Sequence, residues 1–312
     1  MHPDSGAGRA GAPAHRHIGT SAYWRSFPNP RYPFRPGQTD RKGSTVIFTA
    51  PNRTTVLEKD GPVLVELVRQ LLERYPDEFL QIPFIRTALA TMKIDALDKN
   101  TLKMGQVEDP AALVENALSH NIDGMIGKIS LFRPAILVMP LRSLDHVAEN
   151  MKTARVLSVG PRTEAEIYTL IACGFEPSNI RGLDLFSYSD FVDAGDMHAM
   201  PYEDNSFDIV ILGWVLAYSN DQKKAAAEVL RVLRPGGIVA VGYEYTALTS
   251  EELRDQGSDV ADAPKLKTTD QILDLFAPHV EDVYFRHDIH ASRKEKPGSL
   301  MTIFSTSTAS GA

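Results

Sequence analysis

From Met151 onward the chain alternates apolar runs of four to seven residues with segments of helical periodicity. Short runs that are apolar throughout suit strands covered on both faces, and strands alternating with helices build a mostly parallel sheet. The runs are residues 155–160, 180–186, 207–212, 238–241, 280–287 and 300–305, and a short strand near 191–194 makes seven. The last two are joined without a helix-length spacer, which allows an antiparallel final strand. The expected fold is therefore α/β, a Rossmann-like doubly wound seven-stranded sheet, mostly parallel with an antiparallel last strand. The intervening helices have readable ends. Thr163 with Glu166 forms a capping box ahead of Ile167, Leu170 and Ile171, with Gly174 closing that helix. Thr268 with Gln271 repeats the pattern, and Ala226, Val229, Leu230 and Leu233 share a helix face that stops at Pro235-Gly236-Gly237.

Before this block the pattern is helical. Leu64, Leu67, Val68, Leu71 and Leu72 recur on one face behind Pro62. Further helices are expected over 77–93, 109–120 and 142–151, with extended pieces at 45–49 and 135–139. The expected organisation is an arm-like or disordered segment over 1–43, a helical cap over 44–150 and a core domain over 151–308. Residues 1–43 hold six Pro, six Gly and seven Lys or Arg against Asp4 and Asp40, a composition that cannot pack a core. Within it, residues 21–35 interleave five aromatics with three arginines. That mixture suits stacking on single-stranded nucleic acid, docking over an active site or a neighbouring subunit, or plain disorder. Net charge decides against nucleic acid: 33 basic and 40 acidic residues give −7 overall, and about −12 outside the arm. The single cysteine, Cys173, sits in an apolar helical run and reads as core; it allows neither an intramolecular disulfide nor a multi-thiolate metal site. No metal is expected. With no 18-residue apolar run and no secretory signal, the expectation is a cytoplasmic protein without a membrane span.

In an open parallel sheet a ligand binds beyond the carboxyl ends of the strands where strand order reverses. Gly160-Pro161-Arg162-Thr163-Glu164 follows the first strand, and the glycine lets backbone approach a ligand at a helix N-terminus. Asp184, 24 residues after Gly160 and followed by Leu185, ends the second strand near the spacing at which an acid accepts from a ribose diol. The plainer reading, a surface carboxylate, fits less well with its place after an apolar strand. Glu164 and Glu166 in the first helical turn would repel the pyrophosphate of a dinucleotide. A ligand with one carboxylate and one ammonium suits the loop better, with Arg162 or backbone N–H groups on the carboxylate and Glu164 on the ammonium. The alternative is that both glutamates favour the helix dipole and face solvent, and for Glu166 that reading is preferred.

Four stretches occur in order: Arg-Val-Leu-Ser-Val-Gly from 155, Gly-Leu-Asp from 182, Gly-Asp-Met-His-Ala-Met-Pro-Tyr-Glu-Asp-Asn-Ser-Phe-Asp from 195, and Glu-Val-Leu-Arg-Val-Leu-Arg-Pro-Gly-Gly from 228. Residues 153–245 thereby resemble the core of class I S-adenosylmethionine-dependent methyltransferases. The resemblance implies S-adenosylmethionine as cofactor, with Gly160, Pro161, Arg162, Asp184 and Leu185 beside it. It further implies that Asp196 takes the adenine amine, Met197 packs beside the ring, and Gly213 and Trp214 line the far side. The chain departs from the family in having one glycine where Gly-x-Gly-x-Gly is expected. Asp208 is read as structural, and His198 as outside the chemistry.

Methyl transfer depends on an aligned nucleophile more than on acid or base. Where a proton must leave, Tyr218, Glu244 and His290 are the candidate catalytic groups, with His287 as a further one. Tyr23, Trp24, Tyr218, Tyr243 and Tyr245 are the candidate acceptor-lining residues. No Asn-Pro-Pro-Tyr follows the fourth strand, which argues against methylation of base amines. A small organic acceptor, a sugar or secondary metabolite, is expected under the helical cap, which also suits a homo-oligomer. Two other classes stay open: an S-adenosylmethionine-binding protein that transfers no methyl, and a nicotinamide-dependent oxidoreductase.

Overall fold

The structure, a computed structural model, describes residues 63, 66–71, 73–95, 103–105, 133–255 and 264–308. The expected strand at 45–49, the helix at 109–120 and the arm carrying Tyr23 and Trp24 lie outside the described residues. The described elements in order are α1 (Pro76–Leu80), α2 (Pro83–Asp95), β1 (Lys103–Met104), α3 (Arg133–Arg142), α4 (Asp145–Asn150), β2 (Val156–Val159), α5 (Glu164–Ala172), β3 (Ile180–Asp184), β4 (Phe186–Ser187), β5 (Val192–Ala194), β6 (Phe207–Gly213), α6 (Gln222–Val232), β7 (Leu233–Tyr245), α7 (Ser250–Asp255), α8 (Thr269–Asp274), β8 (Val280–His287) and β9 (Gly298–Thr306).

The expected sheet forms. Its seven strands run in the order β5-β3-β2-β6-β7-β9-β8, and β9 is antiparallel to both β7 and β8. Successive side chains of each central strand serve opposite cores. Leu157, Val210, Leu212, Val239 and Val241 join one cluster with Ala226, Val229 and Ile272. Val156, Ile209, Ile211, Ile238 and Ala240 join the other with Leu137, Leu141, Ile167 and Leu170. Helices thus cover both faces. Asp208 has the structural role expected of it: its carboxylate accepts from Arg155 N at 2.8 Å and from Arg234 Nη1 at 2.6 Å, tying the starts of β2, β6 and β7 together.

Three local expectations are corrected. Residues 135–139 are helical, within α3, because apolarity there follows a helix face: Leu137, Val138 and Leu141 are buried while Ile136 and Met139 are exposed. The helix expected over 77–93 is two helices, since Pro83 cannot supply the amide that a continuous helix needs and fits at a helix start. Pro235-Gly236-Gly237 lies inside β7; Leu233 pairs with Phe207 and the ladder shifts register before resuming at Ile238 opposite Ile209. The Gly236 backbone has φ +75°, which makes the irregularity tolerable.

The helical assignment of α3 has a direct test. Leu141→Ala should lower unfolding free energy by about 2–5 kcal/mol, and Ile136→Ala by less than about 0.5 kcal/mol, in urea titrations. Equal effects at the two positions would contradict a one-sided helix.

Candidate functional site

The chain leaves β2 toward β3 and β5 on one side, whereas β6 leads to β7 on the other. The carboxyl ends of β2 and β6 therefore bracket the crevice at the reversal of strand order. Gly160 has φ +70°, and a Cβ there would lie 2.6 Å from Val215. Arg162, standing where the family has its second glycine, keeps the left-handed backbone at φ +54°. An arginine in that conformation costs about 1 kcal/mol relative to glycine, so the surrounding contacts hold the loop.

Asp184 supplies one such contact. Its Oδ2 accepts from Arg162 N at 3.1 Å and its Oδ1 from Leu185 N at 2.8 Å. Burial pushes its carboxyl up to about 6, against the pull of these donors and of the Arg162 charge. Pro161, Arg162, Asp184, Phe186, Tyr188 and Val192 line a small cavity here. At the next strand, Asp184 O accepts from Gly195 N at 2.8 Å, setting Gly195-Asp196 beside it. A strap from the N-terminal region lies across this corner: Lys103 and Met104 pair with Ser187 and Phe186, and Gly105 N donates to Leu185 O at 2.9 Å. Gly105 rests on Gly195 so closely that a Cβ on it would meet Gly195 N at 2.6 Å.

Neither glutamate of the first helical turn faces solvent, which corrects the expectation for Glu166. Glu164 is fully buried, and its carboxylate accepts from Tyr168 Oη at 2.5 Å and Ser189 Oγ at 2.5 Å and pairs with Lys93 Nζ of α2 at 2.7 Å. Burial raises its pKa, but the bonds from Lys93, Ser189 and Tyr168, with the Lys93 charge, bring the net value below the ordinary one. Glu166 accepts from Ser158 Oγ of β2. Its Oε2 lies 3.1 Å from where a Gly213 Cβ would stand, at the end of β6. A carboxylate thus sits at the switch point. The first amides of α5 are already satisfied, Ala165 N by Thr163 Oγ1 at 3.3 Å and Glu164 N by Tyr188 Oη at 3.2 Å.

Beyond β5, Asp196 is buried and Met197 packs against the core. Burial pushes the Asp196 carboxyl up, while the His198 ring and amide, with the His198 and Lys224 charges, carry the net below the ordinary value. Trp214 turns into the core with φ +66°, covering Gly242 and donating Nε1 to Ser299 Oγ at 3.1 Å. Tyr218 ends the 3₁₀ turn Val215–Tyr218. Tyr243 is fully buried, its hydroxyl held by Gln222 and Leu266 N. Tyr245 Oη donates to Lys294 O at 2.9 Å, and Glu244 is half-buried between them. His290 is exposed and caps a short turn after β8. Tyr218 follows β6 and His290 follows β8, strands separated in the sheet by β7 and β9. Sequence reasoning missed Lys93, Ser158, Ser189 and Ser219. Lys93 is 71 residues from its partner, and no spacing rule reaches that far.

A switch-point crevice on a seven-stranded sheet, with buried acids at the ends of adjacent strands, is the layout of a Rossmann-like fold. Residues 174–241 match the family model described as a methyltransferase domain, and over that segment the resemblance to class I methyltransferases is borne out. A demethylmenaquinone methyltransferase from Renibacterium salmoninarum is 52% identical over 52 residues, 17% of this chain and 22% of that protein. One from Desulfitobacterium hafniense is 44% identical over 45 residues, 14% of this chain and 18% of that protein. The matched stretches thus span about a fifth of these curated relatives' length. Among solved structures, the N-methyltransferase NodS from Bradyrhizobium japonicum, in complex with S-adenosyl-L-homocysteine, is 15% identical, with 56% of this chain and 87% of that chain covered and a TM-score of 0.38. Among the described residues no helix is long and apolar enough to cross a membrane.

Lys93→Met leaves the Glu164 carboxylate buried without its cation. Because Lys93 is itself half exposed, the expected loss is about 1–3 kcal/mol. Glu164 has a depressed folded pKa, so the stability it contributes is present above its ordinary value of 4.5 and disappears as pH falls through the folded value. Urea titrations should therefore show the difference between variant and wild type at pH 7 and a shrinking difference as pH falls below 4.5.

Proposed function

We propose that this chain is an S-adenosylmethionine-dependent methyltransferase acting on a small organic acceptor. Asp184 carries the reading: a buried carboxylate ending the strand next to the Gly160 loop, approached by the backbone N–H groups of Arg162, Leu185 and Phe186 and, with roughly four acceptor sites, still able to accept from a ribose hydroxyl. The donor set also disfavours a dinucleotide. A pyrophosphate needs free amides at a helix N-terminus, and those of Glu164 and Ala165 are engaged while Glu164 and Glu166 set negative charge there.

The residues fit the cofactor as follows. Asp184 would hold the ribose hydroxyls and Asp196 the adenine amine, with Met197 beside the ring. Glu166, whose carboxylate stands at the switch point beside Gly213, is our candidate partner for the ammonium beside Glu164. Arg162 is the candidate for the cofactor carboxylate. When bound, the cofactor supplies a methyl group activated on a sulfonium. The chain's own task is to hold an acceptor nucleophile in line with it, and positioning alone accounts for much of the rate in such a transfer. Tyr218, ending the turn after β6, and Glu244, near the end of β7, are the groups favoured for moving an acceptor proton. Lys265 Nζ donates to Ala217 O at 2.9 Å on the same side; burial pushes its pKa down, opposed by the Glu244 charge. The names of the two curated relatives favour a quinol-type acceptor among the small molecules. The region before β2, including Tyr23 and Trp24, is our candidate for acceptor cover and for self-association.

Calorimetry should detect S-adenosylmethionine and S-adenosylhomocysteine but not NAD; binding of NAD alone would overturn the reading. Asp184→Ala should weaken S-adenosylhomocysteine binding by about 1.5–3 kcal/mol, the scale of a hydrogen bond to a charged group. Since the ionised carboxylate accepts from both hydroxyls and Asp184 ionises at about 6, wild-type affinity should rise between pH 5 and pH 7, and Asp184→Asn should remove the rise. Release of S-adenosylhomocysteine with an acceptor panel that includes demethylated quinols tests transfer itself. Tight binding without release would favour a cofactor-binding protein that transfers no methyl.

A further inference from the structure

A line of hydrogen bonds joins the two loops that flank the crevice. His198 Nδ1 lies 2.6 Å from Asp196 Oδ1, and His198 Nε2 lies 2.7 Å from Ser219 Oγ. The backbone N–H of His198 donates to the same Asp196 oxygen at 2.9 Å. Asp196 follows β5, whereas Ser219 follows the turn Val215–Tyr218 beyond β6.

An ionised carboxylate only accepts, so Nδ1 donates to Asp196 Oδ1 in this arrangement, while Nε2 and the Ser219 hydroxyl share the second hydrogen bond. Ser219 is completely buried, so its hydroxyl has no bulk water to turn to and the ring is anchored from behind. The result falls on Asp196. Both donors meet Oδ1, and among the described residues none meets Oδ2. Among the described residues the buried side-chain polar atom left without a partner is Thr302 Oγ1, so Asp196 Oδ2 touches solvent. One oxygen is occupied and the other is presented, with the carboxylate unable to rotate without breaking two bonds.

We propose that His198, clamped by Ser219, is a positioning residue that fixes Asp196 as an obligate acceptor and thereby sets specificity for a purine bearing an exocyclic amine over one bearing an oxo group. This rests on the reading in which Asp196 faces the purine of an adenosyl ligand. A carboxylate held ionised attracts an amine and repels a carbonyl oxygen. Freed of His198, the same buried group can turn or take a proton, and a protonated carboxyl donates to an oxo group as readily as it accepts from an amine.

The experiment is calorimetry of the full chain with S-adenosylhomocysteine and with S-inosylhomocysteine, its 6-oxo counterpart. Wild type should prefer the amine by about 10- to 100-fold, the range for one hydrogen bond to a charged group. His198→Ala should reduce that ratio to about threefold or less. His198→Asn, which keeps a side-chain N–H beside Asp196, should restore much of it. Ser219→Ala, which keeps the imidazole but removes its anchor, should lower it partway. A wild-type ratio retained in both His198→Ala and Ser219→Ala overturns the proposal. If His198→Ala does not fold, Ser219→Ala decides alone, and an unchanged ratio is fatal. Equal wild-type affinity for both ligands sinks this inference and leaves the cofactor reading standing, whereas binding of neither ligand removes the cofactor reading itself.

Discussion

A parallel sheet covered by helices on both faces leaves a ligand only the ends of its strands. Here the two cores claim most apolar side chains of the central strands, alternately above and below. Polar chemistry is thereby concentrated at the carboxyl edge, and most sharply where β2 and β6 diverge. Asp184, Asp196, Glu164 and Glu166 are all buried at or near that edge. Unpaired charge in such surroundings is costly, so each acid has donors at hand: backbone amides for Asp184, an imidazole for Asp196, a serine hydroxyl for Glu166, a lysine and two hydroxyls for Glu164.

The replacement of small residues in the first loop has consequences that reach the N-terminal helices. Glu164 occupies space that a glycine would leave empty, and its charge is answered from α2 by Lys93. Ala90, Ala165 and Tyr168 pack together at the same contact. The loop is therefore braced from outside the sheet domain, and its geometry does not rely on glycine freedom alone. Arg162 holds its left-handed backbone in this setting because Asp184 accepts its amide.

The sheet was legible because apolar runs and cap residues are local signals. Thr163 and Thr268 cap their helices as read, and Asp208 ties strand starts as read. Errors arose where one local pattern served two structures. Ala135–Met139 is apolar enough for a strand, and only the burial of Leu137, Val138 and Leu141 on one side reveals a helix. The Thr163-x-x-Glu166 spacing resembles a reciprocal cap, yet Glu166 finds Ser158, eight residues back on the neighbouring strand. Of the candidate acceptor-lining residues, Tyr243 was legible as a strand-end aromatic, but its hydroxyl is engaged by Gln222 and Leu266, partners that no spacing rule identifies. Distant pairings such as Lys93 with Glu164 leave no trace in periodicity.

The contact between Gly105 and Gly195 binds two distant parts of the sequence into one unit of variation. A single methyl on Gly105 would strike Gly195 N at 2.6 Å, and one on Gly195 would strike Leu183 at 2.8 Å. Gly105 therefore cannot gain a side chain while the Gly195 backbone stays where it is, whereas Gly195 is confined by the Leu183 and Pro201 side chains. The strap and the β5 edge it covers are therefore fitted backbone to backbone, so a strap residue bulkier than Gly105 would have to be matched by a shift of that corner of the crevice.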